Sequence, residues 1–299
     1  MSDSPTRLVL LGHPVGHSLS PTFQNAALKS AGLPATYDAL DVTPDALPGV
    51  LRELARAGVA GNVTIPHKEA IVAACSSTSE LATRVGAVNT FWHEKGRLVG
   101  DNTDVAGAHS AINALLEAAA PAKVDTNEIV TAGAEPLRVA LLGAGGAAAA
   151  VLVALEAFTP DSITIFTRTP ERAETLSVRV GVPVTVADNV ESAVRAANLV
   201  INCTPIGLLN DDMPLDVALL SPGTRVLDLI PKRGETAWVR ECRAAGHVAE
   251  DGLRMLIEQG AAAFELWFRM VPDRASMWRS VGARAEWSTG HRAKSPHGP

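Results

Sequence analysis

Residues 138–148, Arg-Val-Ala-Leu-Leu-Gly-Ala-Gly-Gly-Ala-Ala, decide the fold. An apolar run of strand length leads into Gly143-Ala144-Gly145-Gly146-Ala147-Ala148, and an alanine-rich helical stretch continues to residue 158. The loop fits G-x-G-x-x-A and sits between a strand and a helix, which is the context a dinucleotide fingerprint requires. Gly143 permits the tight turn, Gly145 lets backbone approach a pyrophosphate, and small Ala148 allows close helix–sheet packing. The helix N-terminus turns N–H groups and partial positive charge toward that anion. A Gly/Ala-rich turn with no ligand is the plainer reading of the same letters.

The next strand ends in Thr167-Arg168-Thr169-Pro170-Glu171-Arg172. An NAD site places an acid there, about 20 residues after the loop, to bind the ribose 2′-hydroxyl. No acid occupies 167–169, and Arg168 with Arg172 can clamp a dianionic 2′-phosphate, with Thr167 and Thr169 as hydroxyl donors. NADP(H) is therefore the expected cofactor. The alternative is a solvated helix start with surface arginines.

Outward from this loop the chain alternates short apolar runs with helical patterns, the signature of an α/β protein. After it, strands are expected at SITIFT (162–167), VPVTVAD (182–188), LVINCT (199–204), RVLDLI (225–230) and HVAE (247–250), with helices between them. Such a series forms a parallel, doubly wound sheet with right-handed crossovers. Before the loop, strands are expected at RLVLLG (7–12), ATYDALDV (35–42), GVAGNVTI (58–65) and AVNTFW (87–92). Helices are expected from Pro21 to Gly32 and from Pro44 to Gly58, with proline inside the start and glycine past the end. Residues 121–136 lack a strong period and read as a linker or surface insertion, and 288–299 as a loose polar tail.

The chain has 299 residues, 47% hydrophobic and 19% charged, with a mean hydropathy of +0.15. That length favours two domains, and that composition buries a real core. A net charge of −6 argues against nucleic acid as the main partner while allowing a local basic pocket. Cys75, Cys203 and Cys242 cannot all pair within one chain, and no CxxC occurs, so a reducing compartment is expected. Neither a signal peptide nor a run of membrane-spanning length is found. The expectation is a soluble, cytoplasmic protein with no membrane partner.

Four short polar motifs stand in the first 104 residues, each at or after a strand-like run: Gly12 to Pro21 (GHPVGHSLSP), Gly61 to Lys68 (GNVTIPHK), Gly86 to Thr90 (GAVNT) and Gly100 to Asp104 (GDNTD). Loops at strand C-termini converge on the ligand crevice of an open α/β sheet. Each motif also has a bland reading. Ser18 and Ser20 can cap the helix that starts at Pro21, and Ser20 is expected to do so. Asn102 and Asp104 are common turn formers, and Lys68 alone reads as a solvated lysine. His13 and His17 stand four apart, but Pro14 and Gly16 deny them a helix and no third ligand is in reach, so no metal is expected.

With all four motifs in this order before the glycine loop, the chain resembles a shikimate dehydrogenase from Leu8 to about Trp267. The resemblance implies an α/β substrate domain and a Rossmann NADP-binding domain separated by a cleft, with a C-terminal helix returning to the first domain. Boundaries follow at 1–104 plus 252–287 and at 105–251. The implied activity is reversible reduction of 3-dehydroshikimate to shikimate, in aromatic amino-acid biosynthesis. Lys68 and Asp104 would be the catalytic pair, a positioned ammonium being suited to stabilise and protonate a developing oxyanion. Ser18 and Ser20 would hold the substrate carboxylate, and Asn62, Thr64, Asn89 and Gln259 the ring hydroxyls. The glycine loop, Ala144 and Ala147 included, would bind the cofactor together with Thr167, Arg168, Thr169, Arg172, Thr204, Leu229, Gly252 and Met255. The partner would be the small-molecule substrate, and the assembly a monomer or homodimer.

Three positions depart from the family's pattern. Pro231 stands where the family usually carries a tyrosine, Arg254 where it generally has glycine, and Val105 replaces the glycine after the NTD triplet. These raise two alternatives: a paralogue for quinate, aminoshikimate or a related cyclic hydroxy acid, with Arg254 or Lys232 meeting a different substituent, and a non-catalytic NADP-binding module.

Overall fold

The computed structural model describes residues 4–118 and 135–282. The polar tail, and all but the last two residues of the 121–136 segment, lie outside the described residues.

Two six-stranded sheets are built in succession along the chain. The first arises from β1 (Arg7–Gly12), α1 (Ser20–Ser30), β2 (Thr36–Asp41), α2 (Leu47–Arg56), β3 (Ala60–Val63), β4 (Ser77–Thr78), α3 (Glu80–Val85), β5 (Thr90–Glu94) and β6 (Arg97–Asp101). Its strand order is β2-β1-β3-β5-β6-β4, parallel from β2 to β3 and antiparallel from β3 through β6. Helix α4 (Asp104–Ala118) then leads away from it.

The second sheet comprises β7 (Arg138–Leu142), α5 (Gly146–Leu155), β8 (Ser162–Phe166), α6 (Pro170–Val180), β9 (Thr185–Val186), α7 (Val190–Val194), β10 (Leu199–Asn202), β11 (Arg225–Asp228), α8 (Ala237–Ala244) and β12 (Ala249–Glu250). Every pairing is parallel, in the order β12-β11-β10-β7-β8-β9. Numbered within the sheet this is 3-2-1-4-5-6 read in reverse, the doubly wound dinucleotide-binding order with its switch point between β7 and β10. Helices α9 (Leu253–Phe268) and α10 (Arg274–Ser280) follow.

Strand β1 shows why both faces of the first sheet are covered. Its side chains alternate with period two. Leu8 and Leu10 pack with Phe23 of α1 and with Ile257, Phe264 and Trp267 of α9. Val9 and Leu11 pack with Leu51 and Leu54 of α2. The chain thus returns to the first sheet after completing the second. Helix α4 faces the other way, placing Ala108, Ala111, Ile112 and Leu115 against β7 and α5.

Several expectations change. The AVNTFW strand begins only at Thr90 and forms an antiparallel hairpin with β6, because Lys95 and Gly96 adopt positive φ at the turn. Helix α2 starts at Leu47, three residues later than Pro44 suggested, since turn hydrogen bonds to Thr43 and Pro44 carbonyls occupy the approach. The VPVTVAD strand shrinks to two residues, and α3, α4 and α10 are additions. All three cysteines are unpaired. No helix among the described residues is long and apolar enough to cross a membrane.

Candidate active site

The four polar motifs meet at the C-terminal end of β1 and β3 and the start of α4. Lys68 lies between β3 and the short 3₁₀ turn Ala70–Ala74, its carbonyl anchored by the Val88 N–H at 2.8 Å. Its Nζ donates to Asp104 Oδ2 at 2.7 Å, with the carboxylate almost fully buried and the ammonium about one-fifth exposed. Asp104 is the first residue of α4, where a carboxylate complements the helix dipole, and its N–H donates to Asn102 Oδ1 at 3.0 Å. Asn102 is therefore a turn former, as its bland reading held. Asp104 is not: it belongs to the helix and points into the cluster.

Asn89 is the hub. Its amide NH₂ donates to Asp104 Oδ1 at 2.9 Å, Thr103 Oγ1 at 2.9 Å and Gln259 Oε1 at 3.1 Å. Its Oδ1 accepts the Thr103 N–H at 2.7 Å and the Thr90 hydroxyl at 3.0 Å. Gln259 reaches this cluster from α9, with its own NH₂ donating to the Leu256 carbonyl. That approach needs Gly107, whose Cβ would stand 2.5 Å from the Met255 carbonyl oxygen. The close-packing glycine thus falls one turn into α4, leaving position 105 free to be Val105, which packs against the second sheet's core.

Asn62, expected to hold ring hydroxyls, is hydrogen-bonded within the protein. It is buried, accepts the Tyr37 hydroxyl at 2.8 Å, and donates to the Asn89 carbonyl and Thr90 Oγ1, both at 3.0 Å. Its amide is engaged on both sides, which ties β3 to β2 and to the β5 hairpin. Thr64 follows β3, held by its N–H to the Leu11 carbonyl, and packs so close to Gly12 that a Cβ there would lie 2.4 Å from its methyl.

Ser18 and Ser20 close the loop that His13 fastens by pairing with Asp41. The cap expected of Ser20 is not made. Helix α1 already includes Ser20, Leu19 holds the cap position, and it is Ser18 Oγ that accepts the Ser20 N–H at 3.2 Å.

Across from Lys68 stands the glycine loop. Gly143 has φ +100°, with its N–H on the Phe166 carbonyl at 2.8 Å. Gly145 is the cap of α5, and a Cβ there meets nothing within 4 Å. Glu69 Oε1 lies 3.9 Å from the Cβ position of Gly146, so the two halves face each other here. Thr204 flanks the loop, its methyl 2.9 Å from the Gly143 Cβ position. Gly252 is pressed onto Leu229, where a Cβ would stand 2.2 Å from the carbonyl oxygen, and Met255 is buried beside α4 and β7. Gly143, Gly145, Thr204, Leu229 and Gly252 thus line the C-terminal edge of the second sheet around its switch point. At the end of β8, Arg168 and Arg172 are exposed, and among the described residues neither makes an ion pair. Two exposed guanidinium groups, an open glycine-capped helix start and no acid at 167–169 fit a dinucleotide carrying a 2′-phosphate.

The departing cations already have partners. Arg254 lies 3.6 Å from Glu250 and under the Trp278 ring, and Lys232 donates to Asp211 at 2.9 Å. Glu250 itself is pushed toward the protonated form by burial, opposed by Arg254 and Arg243. Next to it, Asp251 is raised to about 7, chiefly by burial, and accepts the Leu253 N–H at 2.9 Å to start α9.

Tyr37, Thr90 and Thr103 were passed over in the sequence. Two of them sit inside the quoted motifs beside chosen residues, and Tyr37 is the chain's single tyrosine.

Comparison with known proteins agrees with this geometry. The family model for the shikimate dehydrogenase substrate binding domain matches residues 10–91, that for shikimate / quinate 5-dehydrogenase 127–207, and that for the shikimate 5′-dehydrogenase C-terminal domain 252–281. The chain is 39% identical over 281 residues to a shikimate dehydrogenase (NADP(+)) of Symbiobacterium thermophilum, covering 89% of this chain and 90% of the relative. It is 39% identical over 274 residues to one from Thermus thermophilus, covering 91% and 95%. A crystal structure of shikimate 5-dehydrogenase from another strain of Thermus thermophilus, in complex with NADP(H) and shikimate, superposes with a TM-score of 0.77 at 38% identity, covering 92% of this chain and 98% of that one.

Proposed function

This chain belongs to the shikimate dehydrogenase family, and on that premise we propose that it catalyses the reversible NADPH-dependent reduction of 3-dehydroshikimate to shikimate. The observation that carries the reading is the Lys68–Asp104 pair, buried at its carboxylate end, facing the glycine loop and joined through Asn89 to Gln259.

When bound, NADP(H) supplies the reducing equivalent for the C3 carbonyl. The glycine loop and the start of α5 would hold its pyrophosphate, with Thr204, Leu229, Gly252 and Met255 around the nicotinamide end. Arg168 and Arg172, flanked by Thr167 and Thr169, would hold the 2′-phosphate. The ammonium of Lys68 stabilises the negative charge growing on the C3 oxygen and donates the proton that makes it a hydroxyl. In the oxidative direction the same nitrogen takes that proton back. Asp104 fixes the ammonium and accepts from the adjoining substrate hydroxyl. Asn89, Gln259 and Thr64 hold the ring hydroxyls, and Ser18 with Ser20 hold the carboxylate, so that C3 presents one face to the cofactor.

Residues 1–104 with 252–287 form the substrate half in this reading, and 105–251 the cofactor half. The packing of α9 on the first sheet and of α4 on the second supports that division. A monomer or a homodimer is the expected assembly, and the cytoplasm the expected setting. Because Arg254 and Lys232 engage acids of the cofactor half, they support the unmodified ring as substrate over a quinate- or aminoshikimate-type one. The test is NADPH oxidation with 3-dehydroshikimate, quinate-type and amino-substituted rings in parallel. Rapid turnover of 3-dehydroshikimate alone supports the proposal. Turnover confined to the analogues replaces it with the paralogue reading, and NADPH binding without turnover reduces the chain to a binding module.

A further inference from the structure

The only tyrosine in the chain lies on β2, with β1 and β3 between it and the hairpin that Asn89 leads into. Tyr37 is 1% exposed and packs against Trp267 at 6.2 Å between ring centroids. Its hydroxyl crosses over β1 to reach Asn62 on β3. Burial holds the phenol firmly in its protonated, donating form.

From that hydroxyl one path of proton donation runs to the catalytic pair, with the Thr103 hydroxyl beside it at 3.1 Å from Thr90 Oγ1. Tyr37 O–H donates to Asn62 Oδ1 at 2.8 Å, and Asn62 NH₂ donates to Thr90 Oγ1 at 3.0 Å. The Thr90 hydroxyl donates to Asn89 Oδ1 at 3.0 Å, and Asn89 NH₂ donates to Asp104 Oδ1 at 2.9 Å. Lys68 holds the other oxygen. Fixed groups at the catalytic end set this polarity. Asp104 as a carboxylate only accepts, the Thr103 backbone N–H requires the Asn89 oxygen, and the Asn89 carbonyl requires the Asn62 NH₂. What remains is Asn62 Oδ1, a buried acceptor for which Tyr37 is the side-chain donor. A buried amide oxygen without a donor is costly enough to turn or shift the side chain. Any turn of Asn62 withdraws NH₂ from both Asn89 and Thr90.

We infer that Tyr37 is a positioning residue for the Lys68–Asp104 pair, acting through Asn62 and Thr90 on Asn89. The inference rests on the proposed dehydrogenase activity for its kinetic test but not for its structural one. It assigns Asn62 to holding the hub rather than touching substrate, and it makes the edge strand β2 part of the catalytic apparatus.

The kinetic test is a double-mutant cycle of Tyr37→Phe and Thr90→Val, with Met277→Leu on α10 as a control in the same core. Tyr37→Phe should lower kcat about tenfold with the KM for NADPH unchanged, and the double variant should lose no more than the worse single one. Met277→Leu should keep kcat within about twofold, and any loss should multiply with that of Thr90→Val. An unchanged kcat in Tyr37→Phe, or losses of Tyr37→Phe and Thr90→Val that simply multiply, overturns the inference. The structural test uses the cofactor-free protein and NMR exchange of the Asn62 and Asn89 side-chain amide protons. They should exchange at least about tenfold faster in Tyr37→Phe and stay as slow as wild type in Met277→Leu. Equal rates in wild type and Tyr37→Phe sink the relay, whereas a wild-type enzyme inactive on 3-dehydroshikimate sinks only the functional proposal.

Discussion

Lys68 and Asp104, 36 residues apart in sequence, meet at 2.7 Å through Nζ and Oδ2, and the second oxygen of the same carboxylate accepts the Asn89 amide. Among the described residues the ammonium is held on one side only, leaving its other N–H directions for a substrate oxygen. Lys68→Ala should therefore lower kcat by about 10²–10⁴-fold while the Kd for NADPH, read by fluorescence titration, stays within about twofold. A kcat near the wild-type value would remove Lys68 from the chemistry.

The 2′-phosphate clamp predicts a cofactor-specific defect. Arg168→Ala should raise the KM for NADPH by roughly tenfold or more and leave that for NADH almost unchanged, since only the former carries the dianion. Steady-state kinetics with both cofactors give the ratio, and parallel losses would place the arginine elsewhere.

Ser18 stands on the loop that β1 feeds into α1 and Ser20 opens that helix, away from the Lys68–Asp104 pair in the hydrogen-bond network. If they hold a carboxylate equally in ground and transition states, replacing both with alanine raises KM for the shikimate-type substrate at nearly constant kcat. A fall confined to kcat would assign them to the reacting end instead.

Asp251 gives a pH signature in stability. Its carboxyl is raised to about 7 by burial first, with Asp228 and Glu250 adding repulsion against the opposing Leu253 N–H and Arg243. Between the ordinary carboxylate range and pH 7 the folded protein keeps a proton that the unfolded chain has released. Stability contributed by this group is thus full at low pH and declines as pH rises to about 7, by at most about 1.4 kcal/mol per unit. Asp251→Asn keeps the acceptor for the Leu253 N–H and removes the titration. It should raise Tm at pH 8 and leave it unchanged near pH 4; equal effects at both pH values would contradict the assignment.

The second sheet was legible almost strand by strand, because a parallel sheet covered on both faces writes each strand as an apolar run and each turn as glycine or proline. The first sheet was legible where it is parallel and obscured where it turns antiparallel. Strand β6, Arg-Leu-Val-Gly-Asp, is short and ends in the very residues that attract notice as a polar motif. Helix α4 escaped for a related reason. Asn102 and Asp104 read as turn residues, and the alanines that follow lack bulk to mark a buried face, although Ala108 and Ala111 are fully buried. In the site, the family resemblance pointed to Lys68, Asp104, Asn89 and Gln259, but not to the contact that engages Asn62. Tyr37 lies 25 residues away on another strand, and only the register of β2, β1 and β3 brings the two together.

The return of α9 to the first sheet also orders events during synthesis. Leu8, Leu10, Phe23 and Tyr37 emerge from the ribosome early, yet their covering residues Ile257, Phe264 and Trp267 follow only after the whole second sheet has been made. At ~5–20 residues per second, the ~150 residues between Asp101 and Leu253 take on the order of ten seconds or more. For that interval α1 alone covers one face of the first sheet, while the second sheet already has β7 through β12 and can close its own core. The half that starts the chain is thus the last to be completed, and a nascent chain arrested before α9 exposes an apolar surface that chaperones bind.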